Sequence, residues 1–109
     1  MRDCLPIIKP EIVANVPYEN IIYILQSLEE TTVVTTRRLI VFTGRLKDTA
    51  KKLDDRFYQC HRSYIVNLDH VEALKDRRLH MSNGDSIYLC KSLYLKARKT
   101  YIEYMIGGK

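Results

Sequence analysis

The chain has 109 residues, 46% hydrophobic and 28% charged, with a formal net charge of +5. That is the size of one domain with a single modest core, and the composition is that of an ordinary globular protein. No apolar run approaches the ~20 residues of a membrane span, and Pro6, Lys9 and Pro10 break the N-terminal segment too early for a secretory signal; a cytoplasmic location is expected.

Short apolar or alternating runs read as strands at 11–16, 20–25, 32–36, 39–42, 64–68, 70–74, 79–81 and 86–90. Turn chemistry divides them. Asn83 and Gly84 tolerate positive φ, which predicts a hairpin between 79–81 and 86–90. Asp76 and Arg77 mark another turn. Arg37 and Arg38 stand between two β-branched runs, and because Arg disfavours positive φ the turn there should be one or two residues longer than the pair. Two segments switch to helical spacing. In 44–56, Leu46, Ala50, Leu53 and Phe57 form one apolar stripe opposite Lys47, Asp48, Lys51 and Lys52. In 92–105, Leu93, Ala97, Tyr101 and Met105 recur every fourth residue, with Ser92 available as N-cap. The pattern predicts a mostly β fold, a small antiparallel β-sandwich of several short sheets with one or two short helices, forming a single domain over 1–109 with its core at about 7–104.

Charge is unevenly placed. Basic residues outnumber acidic ones by nine to eight up to Arg56 and by nine to five from Phe57 onward, and no carboxylate lies between Asp85 and Glu103, where Lys91, Lys96, Arg98 and Lys99 do. This stretch can build a positive field suited to a polyanion, or it can be a solvated helix face.

Catalysis finds little support. Cys60 and His61 are strand neighbours and point to opposite faces, so they cannot form a thiolate–imidazole pair. Ser63 could share a face with His61, but Asp69, Asp76 and Asp85 each stand where a turn wants Asp. His61, His70 and His80 are too scattered for a zinc site, and no glycine-rich loop opens a helix. Neither a catalytic residue nor a metal or other cofactor is expected. Cys4, Cys60 and Cys90, an odd number, read as reduced and mostly buried thiols, with a Cys60–Cys90 redox pair conceivable only if their strands are neighbours. Tyr88, Tyr94 and Tyr101 could form a stacking platform, but they occupy apolar strand and helix positions and read as core or sheet cover.

The most informative stretch is 57–68, FYQCHRSYIVNL, in which His61, Arg62 and Ser63 interrupt an apolar, β-branched and aromatic run where a strand begins. Such polar groups at a sheet rim are placed for display. The segment resembles the F-x-x-x-H-x-S-Y-x-V-N-[LI] signature of LytTR-type DNA-binding domains, the output modules of many bacterial response regulators. That resemblance implies sequence-specific binding of double-stranded DNA by a transcriptional regulator, with three connections inserted into successive major grooves. Mapped onto this chain, it puts Arg62, just after His61, in a base-contacting position, Lys91 and Ser92 where the family commonly carries a basic pair, and Thr31 in the first loop; Lys96, Arg98 and Lys99 would add phosphate contacts. His61 itself suits a bond to Ser63 or a backbone carbonyl as well as a DNA contact, and Asn67 suits a cap on the turn at 68–70. The resemblance further implies direct repeats in the DNA, one domain on each, and a homodimer or a partner regulator as further possibilities. With 109 residues no receiver domain is expected on the same chain. Glu29 and Glu30 beside Thr31, and Ser92 in place of a second basic residue, favour the alternative of a module that binds or sequesters a partner protein without reading DNA.

Overall fold

The computed structural model describes residues 3–107. Along them run β1 (Cys4–Lys9), β2 (Ile12–Pro17), β3 (Ile21–Ser27), β4 (Glu30–Thr35), β5 (Leu39–Thr43), α1 (Leu46–Ala50), β6 (Phe57–His61), β7 (Tyr64–Asn67), β8 (Val71–Lys75), β9 (Arg78–Met81), β10 (Ser86–Tyr88) and α2 (Lys91–Gly107). The fold is mostly β, as the alternating pattern predicts. The strands form a central five-stranded sheet in the order β5-β4-β3-β7-β6, a β1-β2 ribbon and a β10-β9-β8 sheet. All pairings are antiparallel.

Alternation along the central strands fills two cores. Ile65 and Val66 are neighbours on β7 and therefore point to opposite faces; Ile65 packs with Leu5, Ile7, Val16, Tyr18, Phe42 and Leu46, while Val66 packs with Cys60, Leu79, Met81, Leu89 and Ala97. One face is thus covered by the β1-β2 ribbon and α1, the other by the β8–β10 sheet and α2. Tyr23 fastens the second layer by donating from its hydroxyl to Asp85 at 2.8 Å.

Two strands escape the sequence pattern. β1 contains Pro6, which argues against a central strand, but in a two-stranded ribbon β1 has a free edge and the missing N–H costs no ladder bond there. β6 and β7 form a hairpin, so His61, Arg62 and Ser63 make a turn rather than only the start of a strand: His61 pairs with Tyr64, leaving Arg62 and Ser63 as the loop. The helix expected over 44–56 shortens to α1. Beyond it, Lys52 and Leu53 N–H bond three residues back to Thr49 and Ala50, and the Asp54 carboxylate takes the Arg56 N–H at 3.1 Å, a local bond that competes with helix continuation. Leu53 and Phe57 still pack on the core, so the stripe is right although the helix ends early.

Turn chemistry also divides differently from expectation. In the β9–β10 loop only Gly84 takes positive φ (93°), and Asn83 instead accepts the Asp85 N–H at 3.0 Å. The two-residue turn with both φ positive is Asp76 (55°) and Arg77 (62°), flanked by the Lys75 and Arg78 pair. Thr36, Arg37 and Arg38 connect β4 to β5, the longer turn anticipated, held by Thr35 Oγ1, which accepts the N–H groups of Arg37 and Arg38 at 3.2 and 3.0 Å.

Candidate nucleic-acid interface

One end of the central sheet gathers three connections. The 27–30 turn joins β3 to β4, Arg62 and Ser63 join β6 to β7, and Gly44 with Arg45 leads into α1. Adjacency is fixed by backbone bonds: the Gln26 N–H donates to Ser63 O at 3.0 Å, and the Gly44 N–H to Glu29 O at 2.9 Å. The Gln26 side chain ties the first and third of these together. Its Oε1 accepts the Leu46 N–H at 2.6 Å, and its Nε2 donates to Leu28 O at 3.2 Å and Gly44 O at 3.3 Å. α1 has no cap from its own N-cap residue, so Gln26 supplies from another strand the acceptor that a helix start requires.

Arg62 sits exposed at the tip of the β6–β7 hairpin. The hairpin is closed beneath it by His61, whose Nδ1 accepts the Ser63 N–H at 3.0 Å, and by Gln59, whose Nε2 donates to Arg62 O at 3.3 Å. An Nδ1 that accepts leaves the proton on Nε2, so the imidazole is the neutral Nε2–H tautomer. His61 is therefore a turn-closing residue, and its ring meets Tyr64 edge-on at 5.8 Å.

A shallow depression beside this turn is bordered by Tyr58, Cys60, His61, Arg62, Leu93 and Lys96. It brings the hairpin arginine and a lysine of α2 to one surface, because Leu93 packs α2 against the core that holds Cys60. Lys91 and Ser92 are exposed in the first turn of the same helix. Ser92 is not the N-cap. Tyr94 N–H bonds Cys90 O at 2.8 Å, the first intrahelical bond, so Cys90 caps α2 and contacts Ser92 Oγ through Sγ at 3.5 Å. The Cys90 thiol is held below its ordinary value by the bond from Ser92, then by the Leu93 N–H, with the Arg77 charge adding to both. Cys90 is exposed whereas Cys60 is buried, and burial pushes the Cys60 thiol up to about 12.

Thr31 is placed differently from expectation. It is fully buried and its hydroxyl donates to Gly44 O at 3.0 Å, so its side chain supports the rim from below. What the first turn displays is Leu28, Glu29 and Glu30, with Leu28 92% exposed at φ 56°, a conformation uncommon for a branched side chain. Among the described residues one ion pair occurs, Arg56 with Asp54 at 2.9 Å, so neither Arg62 nor Lys96 is neutralised by a carboxylate.

Asn67 caps the turn at 68–70 as expected, its Oδ1 accepting the Asp69 N–H at 2.9 Å, and it does more: fully buried, it donates to Tyr18 O at 3.1 Å and Ile21 O at 2.9 Å. Tyr94 and Tyr101 pack against the core as read from sequence. Tyr88 does not; it is 57% exposed, with the guanidinium carbons of Arg77 and Arg78 5.2 and 5.5 Å from its ring centre. Sequence reasoning missed Gln26, Cys90 and this Tyr88 cluster; a lone Gln at the end of an apolar strand and a Cys directly before a helix with no carboxylate until Glu103 were the available signals.

Among the described residues no helix is long and apolar enough to cross a membrane. Residues 12–102 match the family model of the LytTr DNA-binding domain. Over 77 residues the chain is 31% identical to the Accessory gene regulator protein A of Staphylococcus epidermidis and 32% identical to that of Staphylococcus aureus; the aligned part is 67% of this chain and 32% of each relative, so the chain spans about a third of their length. A LytTr DNA-binding domain from Bacillus cereus has the same fold, with a TM-score of 0.74 at 24% identity over 92% of this chain and 97% of that one. The chain belongs to the LytTr DNA-binding domain family.

Proposed function

We propose that this domain binds double-stranded DNA sequence-specifically as part of a cytoplasmic transcriptional regulator, with the Arg62 turn entering the major groove. The observation that carries the reading is Arg62 itself: a guanidinium with no ion-pair partner among the described residues, on a hairpin tip closed by His61 and Gln59, bordering one depression with Lys96. A guanidinium on a rigid turn can give two parallel hydrogen bonds to guanine O6 and N7, worth about 1–3 kcal/mol of discrimination. Lys91, Lys96, Arg98 and Lys99, all exposed, would set register through phosphates, and Ser92 would donate to a phosphate oxygen. Thr31 enters this reading as a support for the first turn, whose Leu28 tip offers apolar contact in place of a hydrogen bond.

Selection of bound duplexes from a random pool tests the reading. A recoverable motif is expected, with direct repeats if one domain occupies each half, and log K against log salt should slope near about −4 to −5 for four to six neutralised phosphates. A pool that yields no motif, with a flat salt response, would contradict it.

A second reading, a module that binds a partner protein, is favoured by one observation. β5 is an edge strand, and Leu39 and Val41 on it are 63% and 44% exposed. Such an edge can accept a strand from another chain. Binding of a partner regulator that survives Arg62→Ala and is lost on Val41→Lys would select this reading.

A further inference from the structure

Arg77, Arg78 and Tyr88 form a cluster for which the fold itself has little use. Tyr88 and Arg78 are direct cross-strand partners on β10 and β9, and Arg77 precedes them in the two-residue turn. Both guanidinium carbons lie within 5.5 Å of the exposed Tyr88 ring centre, and neither arginine has a carboxylate within ion-pair distance among the described residues. Two like charges held against one ring repel each other unless a counter-charge arrives. Arg77 also sits at φ 62°, where Gly or Asn would be at ease, so the position keeps a guanidinium at a conformational cost.

The cluster lies against the start of α2. The Leu89 N–H donates to Arg77 O at 2.9 Å, and Arg77 Nε donates back to Leu89 O at 3.4 Å, which pins Arg77 beside the segment that enters the helix. No acidic residue occupies the first turn of this 17-residue helix. The Cys90 thiol beside the helix start is lowered first by the bond from Ser92 and then by the Leu93 N–H, with the Arg77 charge the smallest cause. From here the first two turns of α2 lead through Lys91 to Lys96, which borders the Arg62 depression.

We propose that Arg77 and Arg78, braced on Tyr88, are a second anion-contacting element of the domain and seat a backbone phosphate of duplex DNA beside the first turn of α2. The inference rests on the DNA-binding reading and adds residues to it. Arg suits the task better than Lys, because its planar fork meets two phosphate oxygens at once. A phosphate contact carries affinity without sequence information.

The test uses a duplex recovered by selection and a scrambled duplex of equal length, titrated between about 50 and 200 mM salt. Replacing both arginines by Gln should make the salt slope shallower by about 1 to 2, and weaken both duplexes by the same factor. Lysine at both positions should keep most of the slope, which separates lost charge from lost fold. Tyr88→Ala should keep the slope and lower affinity for both duplexes. A salt slope unchanged in the double Gln variant, with wild type binding normally, would overturn this proposal alone; a wild-type chain that binds neither duplex would overturn the reading beneath it as well.

Discussion

Gln26 Oε1 accepts the backbone N–H of Leu46 at 2.6 Å, across twenty residues of sequence. Through this bond and two donated by Nε2, one side chain on β3 fixes the start of α1 to the β3–β4 turn, while the Gln26 backbone N–H holds Ser63 of the Arg62 hairpin. Gln26→Ala removes all three bonds from a partly buried site, so stability should fall by about 1–3 kcal/mol. Gln26→Glu keeps the acceptor for Leu46 but turns donors into acceptors toward two carbonyls, and should lose stability as well. Urea midpoints for the two variants check this, and a midpoint equal to wild type in Gln26→Ala would contradict the hub role.

Asn67 gives the fold a similar dependence in its interior. With the side chain removed in Asn67→Leu, the Ile21 carbonyl and the Asp69 N–H lose the bonds Asn67 gives them, while the Tyr18 carbonyl keeps the Ile21 N–H. Losing a buried polar partner costs about 1–3 kcal/mol, so the variant should be clearly destabilised. Thermal unfolding followed by circular dichroism measures the loss.

Stability should decline in alkali. Cys60 is raised from 9.0 to about 12 by burial, and Tyr104 from 10.0 to about 12 by partial burial and by the bond it donates to Asp69. Both groups keep their proton in the native state where the unfolded chain loses it, so unfolding releases protons above pH 9 and the native state loses ground as pH rises toward 12. Below pH 9 neither group contributes a slope. Urea midpoints should therefore fall as pH rises beyond about 9, with a shallower fall in Tyr104→Phe.

Much of the fold is legible in the residues because one-sided burial writes period two into a strand: Ile40 and Phe42 face the core while Leu39 and Val41 face out. The Asn83 and Gly84 hairpin and the His61 to Asn67 signature are local chemistry and read directly. What escapes is decided between distant parts of the chain. Pro6 hides β1 because a free edge, visible only in the assembled sheet, removes the penalty. α1 is shorter than its stripe because Asp54 captures the Arg56 N–H, and its cap comes from Gln26 rather than from a neighbour. Thr31 looks like a rim residue until the Gly44 carbonyl draws its hydroxyl inward, and Tyr88 looks like a sheet residue until its register with Arg78 puts it on the outer face. The Arg62 site was readable because a hairpin tip needs no distant partner to be displayed.

Arg62→Ala, measured on the selected duplex and on a scrambled one, tests the central claim most directly. Affinity for the selected duplex should weaken by about 1–3 kcal/mol, roughly five- to 150-fold, with little change on the scrambled duplex and an unchanged melting temperature. Equal losses on both duplexes, or no loss on either, would contradict a base-reading role for Arg62.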